Sequence, residues 1–193
     1  MVNNFDIVRH FLDFSNPDTY YFLQILKRRK DNPDLEKDMI VISDIFIYSL
    51  EQFNRMESEI IETCKINNAR AYFRLNKRSL KKSALQMLKK VTSLVIDENY
   101  KAVKNAYSSV SGEFSADPDK KWIVDIDEKD EQLDREIQEY INTLQPEGMK
   151  IYANIPTKNG NHLITKPFRV DEFKKKYPQV DIHKDNPTIL FIP

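Results

Sequence analysis

Cysteine occurs once in this 193-residue chain, at Cys64, so no intramolecular disulfide can form and no cysteine-based zinc cluster can be assembled. Cys64 falls at an apolar helical position with Phe53, Met56 and Ile60, where it reads as a small buried hydrophobe. Long apolar runs are also missing: no stretch approaches the roughly 20 residues that a membrane-spanning helix needs. The opening Met1-Val-Asn-Asn-Phe-Asp has neither the basic nor the apolar region of a secretion signal. These absences point to a reducing, cytoplasmic setting and to no membrane partner. Internal repeats and low-complexity tracts are absent too. So is net charge, because 30 basic residues balance 30 acidic ones, which taken alone counts against binding a polyanion.

The distribution of charge says otherwise. Between Arg70 and Val110 there are ten Lys or Arg against two acids, net +8, whereas between Trp122 and Glu147 nine acids face two bases, net −7. A basic segment followed by an acidic one suits a polyanion that must approach bound cations. For any single lysine a solvated helix face is the plainer reading.

The last third carries the most legible pattern. Lys121-Trp-Ile-Val-Asp-Ile-Asp127 is an apolar, β-branched run that predicts a strand ending in charge, with Asp125 and Asp127 on one face and Val124 and Ile126 on the other. Leu133, Ile137, Tyr140, Ile141 and Leu144 recur at helical spacing, and Pro146 with Gly148 ends that helix. A strand from Met149 to Ile155 follows, then Lys158-Asn159-Gly160, an Asn-Gly pair of the kind favoured in tight hairpins with positive φ. The next strand, Asn161 to Lys166, places His162, Ile164 and Lys166 on one face. A short helix ends at Pro178, and strand pieces at Gln179–His183 and Thr188–Ile192 complete the chain. Strand, helix, strand, strand, helix, strand is the ferredoxin-like βαββαβ order found in RNA-recognition and polymerase palm modules. The predicted class is α+β, with this palm-like module over 113–193 and a helical and αβ module over 1–112.

Three motifs in this segment, Trp122-Ile-Val-Asp125-Ile-Asp127, Gly160-Asn161-His162 and Val180-Asp181, resemble those of the archaeo-eukaryotic primase superfamily, which includes phage and plasmid primase-polymerases. The resemblance covers roughly residues 120 to 193 by motif and the earlier half by architecture only. It implies a nucleotidyltransferase that joins nucleoside triphosphates on a DNA template. Asp125, Asp127 and Asp181 would hold Mg²⁺ or Mn²⁺, and His162 beside Gly160 would contact the triphosphate. Elementary chemistry agrees: hard divalent ions take oxygen ligands, and phosphoryl transfer needs cations that bridge the triphosphate and activate a hydroxyl. Lys158 and Lys166 are expected as further phosphate contacts. The chain departs from many primases in having no zinc cluster and no helicase segment, so an unwinding helicase would be a separate chain. Its end at Pro193 leaves no carboxy-terminal template-binding region.

In the amino-terminal half, residues 1 to 30 read as two helices, the first marked by Ile7, Phe11 and Phe14. The second is opened by Asn16-Pro17, carries Tyr21 and Ile25, and ends in the basic Lys27-Arg28-Arg29-Lys30. Met39 to Tyr48 is β-rich, a helix spans Glu51 to Asn67, and Arg70 to Asn76 alternates as a strand. Ser79 then caps a helix with Ala84, Leu88, Val91 and Val95 on its apolar face. Arg74, Asn76, Lys77 and Arg78, at the strand-to-helix junction, are the expected nucleic-acid contacts. The Ser-rich segment from Ser108 to Pro118 is the expected linker.

Two other classes compete with a polymerase. A metal-dependent nuclease could use the same carboxylates, but it would need no triphosphate contact at His162. A non-catalytic ferredoxin-like nucleic-acid-binding module would be expected to carry stacking aromatics on its sheet, where this chain has charges. Individually the motifs have plainer explanations: Asp125-Ile-Asp127 as a polar strand exit, His162 as a surface strand histidine, Asn159-Gly160 as a turn. A haloacid-dehalogenase assignment fails because the residues and elements after Asp127 do not follow that pattern.

Overall fold

The computed structural model describes residues 1–113 and 117–193. The described residues form an α+β fold with two antiparallel sheets and six α-helices. In chain order the elements are β1 (Val2–Asn3), α1 (Phe5–Arg9), β2 (Thr19–Arg28), β3 (Met39–Ile47), α2 (Leu50–Asn67), β4 (Arg70–Ser79), α3 (Leu80–Ile96) and α4 (Ala106–Glu113). After these come β5 (Trp122–Ile126), α5 (Glu131–Thr143), β6 (Ile151–Pro156), β7 (Asn161–Thr165), α6 (Val170–Lys176), β8 (Asp181–His183) and β9 (Thr188–Ile192). Short 3₁₀ turns follow β2, at Arg29–Asp31, and precede α4. Among the described residues, no helix is long and apolar enough to cross a membrane.

The first sheet runs β1-β9-β4-β2-β3 and the second β6-β7-β5-β8. Both use one device. A strand-helix-strand crossover leaves a gap between its two strands, and an antiparallel strand fills it: β2 between β3 and β4, β7 between β5 and β6. The helices form where the sequence signals them. Ser49 caps α2 by accepting from the Gln52 N–H, and Ser79 caps α3 through Lys82. Asp130 caps α5 through Gln132 and Leu133. α2 ends at Asn68, whose left-handed conformation (φ 45°) a short polar side chain tolerates.

Two large apolar cores result, beside a smaller cluster of Leu26, Tyr72, Ile189 and Ile192 on the first sheet. One packs α1 and α2 on the first sheet through Phe5, Phe53, Ile60 and Phe73 and also takes Ile123, Ile155 and Ile164 from the second sheet. The other packs α5 and α6 on the opposite face of the second sheet, with Ile137, Ile141 and Phe173 against Val124, Ile126 and Leu163. Alternation along β5 and β7 divides their residues between the two cores.

Four expectations change. Residues 19–28 form a strand where a helix is expected, and the first helix stops at Arg9, with Phe11 and Phe14 packing from a loop. Tyr20, Tyr21, Phe22 and Leu23 are all buried because β2 is central and covered on both faces, which removes the period-2 signal. α3 turns Ser83 inward and leaves Ala84, Leu88 and Val95 exposed; buried Tyr20 contacts both Ser83 Oγ (2.9 Å) and Ser111 Oγ (2.6 Å) through its hydroxyl. Residues 108–113 of the expected linker belong to α4, and 114–116 lie outside the described residues. Finally, β9 leaves the second sheet and pairs with β1 and β4 in the first, so the chain end crosses the 112/113 boundary and ties the two sheets together.

Candidate functional site

β5 positions the centre of the site. Asp125 lies opposite His162 on β7 and opposite Asp181 on β8. Residues paired across a sheet share a face, so the three side chains leave the backbone on the side that carries Ile123 and Ile164. Asp125 Oδ1 is 3.4 Å from His162 Nε2, and its Oδ2 is 3.8 Å from His183 Nε2. The other ring nitrogen of His162 is 2.8 Å from Thr188 Oγ1, at the start of β9. Both histidines therefore converge on one carboxylate.

Their titration is set by those neighbours. The facing His183 holds Asp125 below the usual carboxylate range against the opposing effect of burial, with the charges of His162 and Lys30 adding to it. Burial pushes His162 below its ordinary pKa, although Asp125 pulls the other way. The long charge-assisted contact with Asp125 raises His183. Because the folded pKa of His183 lies above its unfolded value, its contribution to stability is complete below about pH 6.5 and is lost as pH rises through the raised value. His183→Gln is accordingly expected to be destabilising near pH 5.5 and close to neutral near pH 8.5, measured as the change in urea-unfolding free energy against the parent at each pH. A difference that grows with pH would contradict the pairing.

Asp127 follows β5 and lines the same cleft, of about 360 Å³, as Asp125, His162 and His183. The opposite wall comes from the first sheet and its 3₁₀ turn: Arg28, Lys30, Arg70 and Tyr72, with Lys158 entering from the β6–β7 turn. Arg28 donates to the Tyr72 hydroxyl at 3.0 Å. Arg70 binds Asp31 through two nitrogens at 2.6 and 2.7 Å, and Lys158 approaches the same carboxylate at 3.3 Å. Lys30 is pushed below its ordinary pKa by burial and by the adjacent charges of Arg70 and Arg28. That wall carries more positive charge than its own acid offsets.

The β6–β7 turn is held by Thr157 N–H to Gly160 O at 2.9 Å and by Gly160 N–H to Thr157 Oγ1 at 3.1 Å. Neither Asn159 nor Gly160 has positive φ, so the expected tight Asn-Gly turn is not formed. Glycine is needed at 160 for clearance: a Cβ there would stand 1.9 Å from the backbone oxygen of Ile126. Gly160→Ala must displace the turn from the end of β5 and is expected to cost about 1–3 kcal/mol in urea unfolding. An unchanged midpoint would show that the turn yields freely.

Several expected site residues lie elsewhere. Asp181 is 73% exposed at its side chain, and its carboxylate lies 3.4 Å from Lys174 Nζ. Among the described residues, no three His, Cys, Asp or Glu side chains gather closely enough to enclose a metal ion. Lys166 lies beyond the end of β7 distant from His162, with its ammonium 5.8 Å from the Tyr152 ring. Arg74, Asn76, Lys77 and Arg78 hold the protein together. Arg78 is fully buried and donates to Ser111 O, Asn76 O and Asp185, while Arg74 donates to Asp185 O. Asn76 bonds the backbone of Lys121 in both directions, and Lys77 pairs with Asp13 at 2.6 Å. The residues that sequence reasoning missed are His183, Arg28, Lys30, Arg70 and Tyr72. His183 shares strand parity with Asp181, and Arg28 would have stood out had residues 19–28 been read as a strand.

Comparison with known proteins assigns no family: no protein-family model matches the chain, and neither a curated protein nor a solved structure gives a significant match.

Proposed function

We propose that this protein is a primase-like nucleotidyltransferase that adds nucleotides on a DNA template. One observation carries the reading: Asp125, Asp127 and His162 face Arg28, Lys30, Arg70 and Lys158 across a single cleft. A nucleoside triphosphate and its cation need both walls, the acids for the cation and the bases for the phosphates. The strand order β8-β5-β7-β6, with α5 and α6 on one face, is what a ferredoxin-like βαββαβ palm requires and supports that part of the reading.

The oxygen-only donors Asp125 and Asp127, the first kept ionised by its histidines, fit a hard divalent ion such as Mg²⁺ or Mn²⁺. Asp181, paired with Asp125 across the strands, is the third carboxylate available if it leaves Lys174. When bound, the ion would neutralise the triphosphate and activate the attacking hydroxyl. The chain's own side chains would do the rest. Arg28 and Lys30 would neutralise phosphate oxygens, Lys158 would reach them from its turn, and His162, braced by Thr188, would donate a hydrogen bond. At the rim, exposed Arg29 beside Lys30 would meet the template backbone.

The test is incubation of the purified protein with primed and unprimed single-stranded DNA, labelled ribo- or deoxynucleoside triphosphates and Mg²⁺ or Mn²⁺. Elongated product is the expected result. Shortened DNA would mean a nuclease, and retention of DNA with no change in length a binding module. His162→Ala is expected to weaken triphosphate binding by about ten- to a hundredfold, the value of a charge-assisted hydrogen bond, in calorimetric titration with Mn²⁺ present. Equal affinity in parent and variant would remove His162 from the triphosphate.

A further inference from the structure

Residues 184–187 carry the chain from β8 in the second sheet to β9 in the first. This short link has cleft residues on both flanks. His183, whose Nε2 faces Asp125 at 3.8 Å, immediately precedes it, and Thr188, whose Oγ1 lies 2.8 Å from His162 Nδ1, immediately follows it. Asn186 and Pro187 line the cleft themselves. One segment therefore stands behind both imidazoles that converge on Asp125.

Side chains of a single parity on β4 hold that segment. Arg78 donates to Asp185 Oδ1 and Oδ2 at 3.2 and 3.1 Å, Asn76 donates to Oδ1 at 3.0 Å, and Arg74 donates to the Asp185 backbone carbonyl. Asn76 also exchanges hydrogen bonds with the backbone of Lys121, just before β5, so the same side chain registers the strand that bears Asp125. Stability alone does not call for such an arrangement, because apolar residues of similar size often serve a buried position as well as an ion pair does. What the polar groups add is direction. Apolar packing is non-directional, whereas several hydrogen bonds to one carboxylate fix where it sits and how it is turned.

We propose that Asp185 is a positioning residue of the cleft: held by Arg74, Asn76 and Arg78, it fixes the β8–β9 link so that His183 and, through Thr188, His162 both reach Asp125. β8 pairs with β5 over only Asp181–His183, so a second anchor just beyond His183 is needed to hold the end of that short strand. The polar side chains of β4 thus serve the cleft from behind, without touching a ligand.

The chain has three histidines, which makes the test direct. Imidazole proton–carbon correlation spectra of the full chain give one cross-peak for each, and His10, bonded to Asp6 O on α1, is the internal reference. In Asp185→Ala at constant pH, the His162 and His183 peaks are expected to move toward the positions of a free imidazole while His10 stays in place. The His162 peak is decisive, because Asp185 reaches that ring only through Thr188. Asp185→Asn keeps an acceptor for Arg78 and Asn76 and should return both peaks toward the parent positions. Arg74→Met frees only the Asp185 carbonyl and should move the same two peaks by less; it takes the place of Asp185→Ala if that variant does not fold. Ile60→Val, a destabilising core substitution on α2, should move neither. An unmoved His162 peak in the folded variant, or equal movement in Ile60→Val, would show that strand pairing alone places the rings and would overturn the proposal. The spectra need neither nucleotide nor cation, so they stand apart from the nucleotidyl-transfer reading. On that reading, Asp185→Ala should also weaken triphosphate binding at least about tenfold, as loss of a supporting group behind a ligand contact commonly does. Moved rings with unchanged triphosphate affinity would uphold the positioning role and count against His162 as a phosphate contact.

Discussion

Asp125→Asn is expected to lower single-turnover nucleotide incorporation by about a hundred- to a thousandfold or more while leaving the fold intact. The substitution keeps the shape of the side chain and removes its charge. That charge is the one toward which both His162 and His183 turn, at 3.4 and 3.8 Å, and it stands across the cleft from Arg28 and Lys30. On the nucleotidyl-transfer reading, a divalent cation would thereby lose a ligand at the centre of the second sheet. Preorganised electrostatic groups of this kind typically contribute two to three powers of ten in rate. Asp127→Asn should act in the same direction. Asp181→Asn is the informative contrast. If Asp181 stays with Lys174 during turnover, its loss will cost little; if it swings to Asp125 when the cation binds, the loss will approach that of Asp125 itself. A fall of less than tenfold for Asp125→Asn would end the nucleotidyl-transfer reading of the cleft.

The largest expected effect on stability belongs to Arg78→Met, which keeps bulk and removes the guanidinium. Arg78 has no exposed surface and spends its donors on Ser111 O, Asn76 O and both oxygens of Asp185. Its removal takes a charged donor from buried carbonyls and leaves the largely buried Asp185 carboxylate with the Asn76 amide but without its cation, and breaking such an arrangement costs about 3 kcal/mol. In a domain of this size that is roughly 6–12 °C in thermal midpoint. The reciprocal Asp185→Asn should cost less, because the side chain of Asp185 is partly solvated and Asn can still accept from Arg78. A midpoint within about 2 °C of the parent for Arg78→Met would contradict a structural role and return Arg78 to the set of candidate ligand-binding residues.

The two aspartates and His162 were readable because their placement is local. Parity along a strand puts Asp125 and Asp127 on one face, and the predicted strand order brings His162 beside them. β2 was not readable in the same way, since a strand covered on both faces carries apolar residues at consecutive positions and loses the alternation that identifies it. The internal partners of Arg74 to Arg78 were hidden for a related reason. A run of basic residues at a strand-to-helix junction looks solvated until the opposing groups are known, and those come from Asp185 and Ser111, more than 30 residues away in sequence.

From the sequence alone follow the α+β class, the caps at Ser49, Ser79 and Asp130, the βαββαβ order of the last third and the acidic wall of the cleft, all of which depend on neighbours a few residues apart. The basic wall, the second histidine at Asp125, the outward turn of Asp181 and the passage of β9 into the other sheet were decided only by tertiary structure. Each depends on which residues two separately patterned sheets bring together when they bury Ile123, Ile155 and Ile164 in a shared core, and hydrophobic burial, being non-directional, does not write those partners into any local pattern.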